Sequence, residues 1–319
     1  MRRHRLLLTG LFLFGAAACG QTTSGAPADA GGASAAGTEP KPQTVAGVSI
    51  TADPALTALL PDAIRSAGKV RVATDAPYPP FEMFVSEGGT ELTGIDYDLG
   101  QALGARLGVR FEFGQQKFDG IIPAIQAGQY DAVMSALTDN KERQQVLTFV
   151  DYSVSGTGIL VRKGNPEKIT AHTDLCGKAV AAQAATNQSK LIDKWQSDCK
   201  AAGKPEISKK EYPKDTDAQL AIKAGTVVAS LQTKPAAIYT AETADGGAAF
   251  EAVDDPAAMG GYNASPNGIG VAKANQPLAQ AVQKALQSLI DDGAYGKILA
   301  GYGAESIAVK TATINAAVD

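Results

Sequence analysis

Hydrophobic and polar positions follow two different periods along the middle of the chain. Short runs rich in β-branched and aromatic residues, such as VRVAT (70–74) and VRFEF (109–113), have the period of strands. Between them, YDLGQALGARLG (97–108) has leucines at every fourth position, as on one face of a helix. Strands that alternate with helices of this length are typical of an α/β fold with mostly parallel strands.

One unit of this pattern occurs twice. The apolar helical segment FDGIIPAIQAG (118–128) ends in glycine and precedes the strand YDAVMS (130–135). DAQLAIKAG (217–225) and the strand VVASLQ (227–232) have the same order. We interpret the pair as an internal structural repeat and expect two lobes. The other predicted elements are an extended run at 155–164, a strand at 178–183, a helix at 187–199 and a helical tail at 275–303.

Composition is that of an ordinary globular protein. The 319 residues are 45% hydrophobic and 19% charged, with a net charge of −4, which allows two domains and does not favour nucleic acid as a partner. Only two histidines occur, and the three cysteines lie far apart. That inventory cannot build a zinc-type cluster, so we expect neither a metal nor a cofactor.

The first 19 residues have the plan of a secretory signal peptide. A basic start (RRHR) precedes the apolar run 6–14 and then small residues that lead to Cys19. A cysteine in this place resembles the lipobox of bacterial lipoproteins, although Ala16 stands where leucine is usual. We expect Cys19 to be lipidated; the alternative is an ordinary signal in which Cys19 is discarded. Residues 20–55 are rich in Gly, Ala, Ser, Thr and Pro and predict a flexible tether.

Two further cysteines, Cys176 and Cys199, are 23 positions apart. In an exported protein such a pair favours a disulfide, and the alternative is two buried free thiols.

The stretch MSALTDNKER (134–143) raises a question about function. An apolar strand ends in small hydroxyl residues, then Thr138, Asp139 and Asn140, and finally Arg143. These residues could cap a helix that begins there. The same hydroxyls, amides and guanidinium could instead hold an anion.

Four segments, in one order and at consistent spacing, resemble the family 3 extracellular solute-binding proteins, which deliver polar amino acids to ABC importers. They are VRVATDAPYPPFEMF (70–84), LTGIDYDLGQALGARLG (92–108), DAVMSALTDNKERQQVLTFVDY (131–152) and DDGAYGKILAGYG (291–303). The resemblance covers roughly residues 56–314.

The resemblance implies a type II periplasmic-binding-protein-like fold. Each lobe is then a mixed, mostly parallel sheet flanked by helices, and ligand binds in the cleft between the lobes. Lobe 1 would comprise 56–154 and 269–319, and lobe 2 would comprise 155–268. The two hinge strands would cross near Val154–Gly158 and Asn263–Gly268.

The resemblance also assigns residues to the cleft. Arg143 matches the arginine that binds the ligand α-carboxylate, with the Thr138 hydroxyl and the Ala136 backbone beside it. A planar guanidinium gives two parallel charge-assisted hydrogen bonds that lysine cannot copy. Tyr78 and Phe118 match the aromatic residues that sandwich the ligand side chain.

Three more positions follow from the same match. Asp75 would meet the polar end of the ligand side chain, and Thr186 would place a hydroxyl near the carboxylate. Where the family often has an aspartate for the ligand α-ammonium, this chain has Thr233, which carries no charge. Either another acid such as Asp254 or Asp255 replaces it, or the ligand is not an ordinary α-amino acid.

The function expected from these residues is that of a solute-binding lipoprotein of an ABC importer, a monomer lipid-anchored to the outer face of the bacterial cell membrane. Its partners would be a small polar solute, first a polar or basic amino acid, and the permease subunits. The alternatives are a cyclohexadienyl dehydratase-like enzyme on the same fold and a solute sensor. No histidine, cysteine nucleophile or metal cluster lies in the predicted cleft, although Glu82 and Asp75 could serve as acids.

Overall fold

A computed structural model describes residues 41–317. The predicted signal peptide, Cys19 and residues 20–40 of the predicted tether lie outside the described residues.

The described chain alternates between strands and helices. The strands are β1 (Gln43–Val45), β2 (Val48–Ile50), β3 (Lys69–Thr74), β4 (Met83–Phe84), β5 (Leu92–Thr93), β6 (Arg110–Gln115), β7 (Ala132–Val133), β8 (Leu147–Arg162), β9 (Ala179–Gln183), β10 (Ser208–Tyr212), β11 (Ala229–Thr233), β12 (Phe250–Ala252), β13 (Tyr262–Ala272) and β14 (Ala308–Ile314). The α-helices are α1 (Pro54–Thr57), α2 (Asp62–Ala67), α3 (Ile95–Leu107), α4 (Ile121–Gln126), α5 (Asn187–Ala201), α6 (Asp215–Ala224), α7 (Lys234–Thr243), α8 (Gln276–Asp291) and α9 (Ala294–Ala300). This confirms the predicted α/β class.

Ten of the strands form one mixed sheet. Its order is β10-β9-β11-β8-β13-β7-β3-β6, and β12 and β14 also pair with β8. Three parallel strands lie at each end of the sheet: β10, β9 and β11 at one end, and β7, β3 and β6 at the other. In each set the strand that comes first in the chain, β9 or β3, lies in the middle. This is the structural repeat that the two helix–glycine–strand units predict. Antiparallel β8 and β13 join the two ends.

Separate hydrophobic cores lie in the two lobes. In lobe 1, Leu99 and Leu103 of α3 pack with Leu286 of α8. In lobe 2, Ile192 and Trp195 of α5 belong to a second core beneath β9 and β11. Burying each of these side chains stabilises the fold by about 2 kcal/mol. Hydrophobic cores in both lobes, joined by the shared strands, position a cleft between the lobes.

The crossing of β8 and β13 is irregular at the place predicted for the hinge. Their register shifts between Tyr262 and Ser265 and again between Asn267 and Gly268. Beside the first shift, Gly156 lies against Gly261, and a Cβ added at Gly156 would be 2.3 Å from the carbonyl carbon of Gly261. The two backbones therefore approach more closely than any side chain would allow.

Two regions differ from the sequence-based expectation. Residues 43–50, within the predicted tether, form the β1–β2 hairpin, whose Ile50 is buried in the lobe 1 core. The ordered chain therefore begins before residue 56. The helical tail predicted at 275–303 is two helices, because Gly293 has a φ of 81° between α8 and α9.

One disulfide lies in lobe 2. Cys176 and Cys199 are bonded, with their Cα atoms 5.6 Å apart, and the bond ties the segment before β9 to the end of α5.

Among the described residues, none of the helices has the length and apolar character needed to span a membrane.

Candidate functional site

A cavity between the lobes contains all eight residues that the family resemblance predicts for ligand binding. They are Asp75, Tyr78, Phe118, Ala136, Thr138 and Arg143 from lobe 1, and Thr186 and Thr233 from lobe 2. The cavity also contains residues that the sequence did not single out for binding: Glu82, Ser135, Gln183, Asn187, Gln188, Asp215 and Leu231.

Arg143 is a buried cation at one end of the cavity. It is 8% exposed, and its guanidinium donates to the carbonyl oxygens of Thr138 at 2.8 Å and Ala185 at 3.0 Å. It also lies 5.7 Å from the centre of the Phe118 ring. No carboxylate of residues 41–317 forms a salt bridge with it. Burial lowers the pKa of Arg143 to about 10, so it stays charged at neutral pH and offers a site for an anion.

The stretch 134–143 combines a hydrogen bond that holds a turn with a buried guanidinium. The Asn140 side-chain oxygen accepts a hydrogen bond from the Arg143 N–H at 2.8 Å, at the start of a short 3₁₀ helix (Arg143–Gln145). This hydrogen bond holds the backbone from which the Arg143 side chain reaches the cavity. The turn hydrogen bond and the buried cation therefore come from different residues of one turn.

The first turn of α5 lies on the lobe 2 wall of the cavity, near the Arg143 guanidinium. The Thr186 hydroxyl accepts from the Ser189 N–H at 3.1 Å and donates to the Gln183 carbonyl at 2.7 Å, so it caps α5. Asn187 and Gln188, the first residues of α5, line the cavity. The N–H groups of a first helical turn are partially positive and favour an anion. With Arg143, they make this end of the cavity suited to a carboxylate.

Ala136 has a strained backbone, which is held by a hydrogen bond to Asp96, a residue that does not line the cavity. Its φ is 44°, and its N–H donates to Oδ2 of Asp96 at 2.7 Å. Because the N–H is occupied by Asp96, it is not the group that Ala136 presents to a ligand.

Direct hydrogen bonds join the lobes across the cavity. The Tyr78 hydroxyl accepts from the Thr233 N–H at 2.8 Å, and Oδ2 of Asp75 accepts from the Gln183 side chain at 2.8 Å. Burial raises the pKa of Asp75, opposed by the Gln183 hydrogen bond and by Lys214, whose Nζ is 3.8 Å away. Asp75 therefore lies at the opposite wall from the α5 start with its carboxylate already partnered.

Glu82, which lines the cavity, and Asp96, which does not, form a buried acidic pair. Oε1 of Glu82 accepts from the Ser135 hydroxyl at 2.7 Å. Burial, reinforced by Asp96, raises the pKa of Glu82 well above its usual range, and burial raises the pKa of Asp96 to about 6. The sequence signal for Glu82 was an acid inside the apolar run YPPFEMF.

Asp215 is the second acid that the sequence did not single out. It begins α6, is 5% exposed and accepts from the side chains of Gln219 at 2.8 Å and Gln232 at 2.7 Å. Burial raises its pKa to about 7. The acids suggested as replacements at position 233 lie elsewhere: Asp254 is exposed, and Asp255 accepts from Tyr262 and from the Ala257 N–H. Neither lines the cavity.

The chemistry of the cavity is that of polar recognition. Within residues 41–317 no group of three or more histidines, cysteines or acids could hold a metal ion. One end has a buried cation and helix N–H groups, and the walls have aromatic rings and carboxyls. Such a site suits a small solute with one anionic end and polar or cationic groups elsewhere.

One family model and several known proteins are similar to this chain. The family described as bacterial extracellular solute-binding proteins, family 3, matches residues 70–305. The arginine-binding protein ArgT of Corynebacterium glutamicum is 30% identical over 263 residues, which cover 82% of this chain and 83% of that protein.

Two solved structures share the fold. An ancestral arginine-binding protein bound to arginine is 33% identical, with a TM-score of 0.65, and the match covers 74% of this chain and 98% of that chain. An ancestral amino acid-binding protein, a precursor of cyclohexadienyl dehydratase, is 31% identical, with a TM-score of 0.66 and coverage of 76% and 98%. These likenesses confirm the predicted fold class.

Proposed function

We propose a function from one premise: this chain belongs to the bacterial extracellular solute-binding proteins, family 3. Its role in solute binding for an ABC transporter follows from that membership and from its amino acid-binding relatives. The finer proposal is that it captures a basic L-amino acid, with arginine first, between its two lobes.

The observation that carries the proposal is the unpaired charge of Arg143. A buried guanidinium that forms no salt bridge with a carboxylate of the described chain is costly unless an anion joins it. The α-carboxylate of an amino acid would accept two parallel hydrogen bonds from Arg143 and reach the first turn of α5. Phe118, whose ring lies beside the guanidinium, would form one wall for the rest of the ligand.

The acids of the cavity support a cationic ligand. Asp75 and Asp215 line it together with Arg143, and Nζ of Lys214 lies 3.8 Å from Asp75. The cavity therefore presents carboxyl groups for the amines of a ligand as well as a cation for its carboxylate, as a basic amino acid requires. The relatives point the same way, because the named arginine-binding proteins are similar over most of the chain.

A thermal-shift panel of the twenty amino acids tests this ligand class, followed by calorimetry on those that shift. A ligand at 100 times its dissociation constant adds about 2.7 kcal/mol, which is readily visible. We expect arginine to give the largest shift and glutamate the smallest among polar amino acids. No shift with any amino acid, or tightest binding of glutamate, would overturn the proposal.

Lobe closure is part of the proposed mechanism. Contacts from both lobes around one solute favour a compact form that a transporter can recognise. Small-angle scattering with and without saturating L-arginine would show a smaller radius of gyration with ligand. An unchanged radius would mean that ligand enters without closure.

Membrane attachment rests on the lipobox-like segment around Cys19. We propose that Cys19 carries the lipid and that the folded part lies outside the cytoplasmic membrane. Expression of the full chain and of Cys19→Ala in a bacterial host, followed by fractionation and mass spectrometry, tests it. The variant should move to the soluble fraction, and a wild-type chain without added lipid mass would refute the anchor.

The relatives are named as binding proteins, and one structural neighbour is a precursor of a dehydratase. Binding is accordingly the function that the cavity supports best.

A further inference from the structure

The cavity contains an acid at a place that the motif match does not predict. Asp215 lies on the lobe 2 wall with Thr233, and it is hydrogen bonded to Gln232, the residue directly before Thr233. The family often has its ammonium-binding aspartate at position 233, and here a neutral threonine stands there. A carboxylate is therefore present next to the position where one is missing.

The hydrogen bonds of Asp215 leave half of its carboxylate available. Both donors, Gln219 and Gln232, bond to Oδ2, and no hydrogen bond from residues 41–317 reaches Oδ1. Both donors are neutral amides, and no lysine or arginine of the described chain forms a salt bridge with Asp215. A buried carboxylate gains most from a cation that approaches its open oxygen.

The other two acids of the cavity are less suited to this role. Oε1 of Glu82 already accepts from the Ser135 hydroxyl, and burial beside Asp96 raises the pKa of Glu82 well above its usual range. Asp75 already accepts from Gln183 and from the Phe118 N–H, and Lys214 lies nearby. Asp215 is the cavity carboxylate whose charge is not balanced by a neighbouring cation.

We propose that Asp215 pairs with the α-ammonium of the bound amino acid and so replaces the acid absent at position 233. The assignment rests on the proposed amino acid ligand. The three N–H donors of an ammonium can reach Oδ1 while the amides of Gln219 and Gln232 hold Oδ2 in place. Recognition of the free amine thus moves from the end of β11 to the first turn of α6.

Calorimetry with L-arginine and Nα-acetyl-L-arginine tests the assignment. The variants are Asp215→Asn and the matched control Asp217→Asn, which alters another acid of the same helical turn that does not line the cavity. We expect Asp215→Asn to weaken L-arginine binding by at least about 30-fold. Asp217→Asn should stay within about threefold of wild type, since its charge lies outside the cavity.

The acetylated ligand distinguishes loss of the contact between Asp215 and the ligand ammonium from a general loss of binding. In wild type, acetylation should abolish most of the affinity, whereas in Asp215→Asn the preference for the free amine should largely disappear. The double variant Asp215→Asn/Thr233→Asp should recover it, because an acid returns to the neighbouring position. If Asp215→Asn does not fold, Asp215→Glu keeps the charge and should keep the preference for the free amine.

The outcomes distinguish the two proposals. If wild type binds none of the twenty amino acids, the proposed function fails. If wild type binds another amino acid instead, that amino acid and its Nα-acetyl form replace arginine in the test. If wild type binds and Asp215→Asn keeps both the affinity and the preference for the free amine, the proposed function stands and the role of Asp215 is refuted.

Discussion

At Arg143 the shape of the guanidinium matters as much as its charge. Two of its nitrogens already bond to carbonyl oxygens of Thr138 and Ala185, one in each lobe. We predict that Arg143→Lys leaves the fold intact and weakens L-arginine binding by about 2–5 kcal/mol, because an ammonium cannot form the paired hydrogen bonds.

Calorimetry measures this loss, with thermal unfolding as the check on the fold. Arg110→Lys is the control, since the Arg110 side chain is 73% exposed and lies outside the cavity. Equal affinity in Arg143→Lys and wild type would show that Arg143 does not contact the ligand.

The sequence predicts that some residues line the cavity and fails to predict others. Arg143 and Thr138 could be identified because their motif has a fixed order and spacing. Asp215 could not, because an aspartate in the first turn of a helix is ordinarily a solvated group that favours the helix dipole. Only the packing of lobe 2 shows that this one is buried in the cavity. Glu82 was noticed only as a possible acid, since its pairing with Asp96 depends on tertiary contacts.

At the scale of elements, the crossing of β8 and β13 depends on two glycines in contact. We predict that Gly156→Ala destabilises the protein by about 1–3 kcal/mol, because the new methyl group would clash with the Gly261 backbone. Urea unfolding followed by circular dichroism gives the difference.

A neighbouring glycine provides the control for this prediction. A Cβ added at Gly260 meets no atom within 4 Å, so Gly260→Ala should have little effect. Equal stabilities of the two variants would show that the close approach at Gly156 relaxes without cost.

The disulfide of lobe 2 allows a second prediction at this scale. Replacing Cys176 and Cys199 by serine opens a loop with a sequence separation of 23 residues. We expect a loss of about 3 kcal/mol in the free energy of unfolding, mainly through a less restricted unfolded chain. Reducing agent should bring wild type to the same stability and leave the double variant unchanged. A variant as stable as oxidised wild type would contradict the prediction.

Elements with strong periodicity were predictable, and polar or edge elements were not. The patterns of β3, α3 and α5 predicted their positions to within a few residues. β10 reads SKKEY and lies at the sheet edge, so it lacks the apolar alternation that marks a half-buried strand. The β1–β2 hairpin could not be predicted, because Ile50 is its one buried residue and the surrounding sequence is small and polar, as in a flexible segment.

For the whole molecule, buried acids predict how stability depends on pH. Burial raises the pKa of Asp96 and Asp151 to about 6 and of Asp215 to about 7, from an ordinary 3.8. The folded state therefore binds more protons than the unfolded state between about pH 4 and pH 7. Stability gained from these groups is present at low pH and is lost as pH rises through that window.

We expect the ligand-free protein to have a free energy of unfolding at least about 1–3 kcal/mol higher at pH 5 than at pH 8. Urea unfolding at both pH values measures the difference. Asp215→Asn should reduce it, because one of the titrating groups is removed. A stability that rises from pH 5 to pH 8 would contradict the assigned pKa directions.

The path of the chain through the lobes has a consequence for biosynthesis. Residues 155–268 are continuous and contain the lobe 2 core with its disulfide. The lobe 1 core, in contrast, needs Leu278, Val282 and Leu286 of α8, near the end of the chain. Lobe 2, whose residues lie between the two segments of lobe 1, can therefore complete its folding before lobe 1 does. The wall that carries Arg143 precedes lobe 2 in the chain, whereas α8 of the same core follows lobe 2, so the cavity can hold solute only after both segments of lobe 1 have come together.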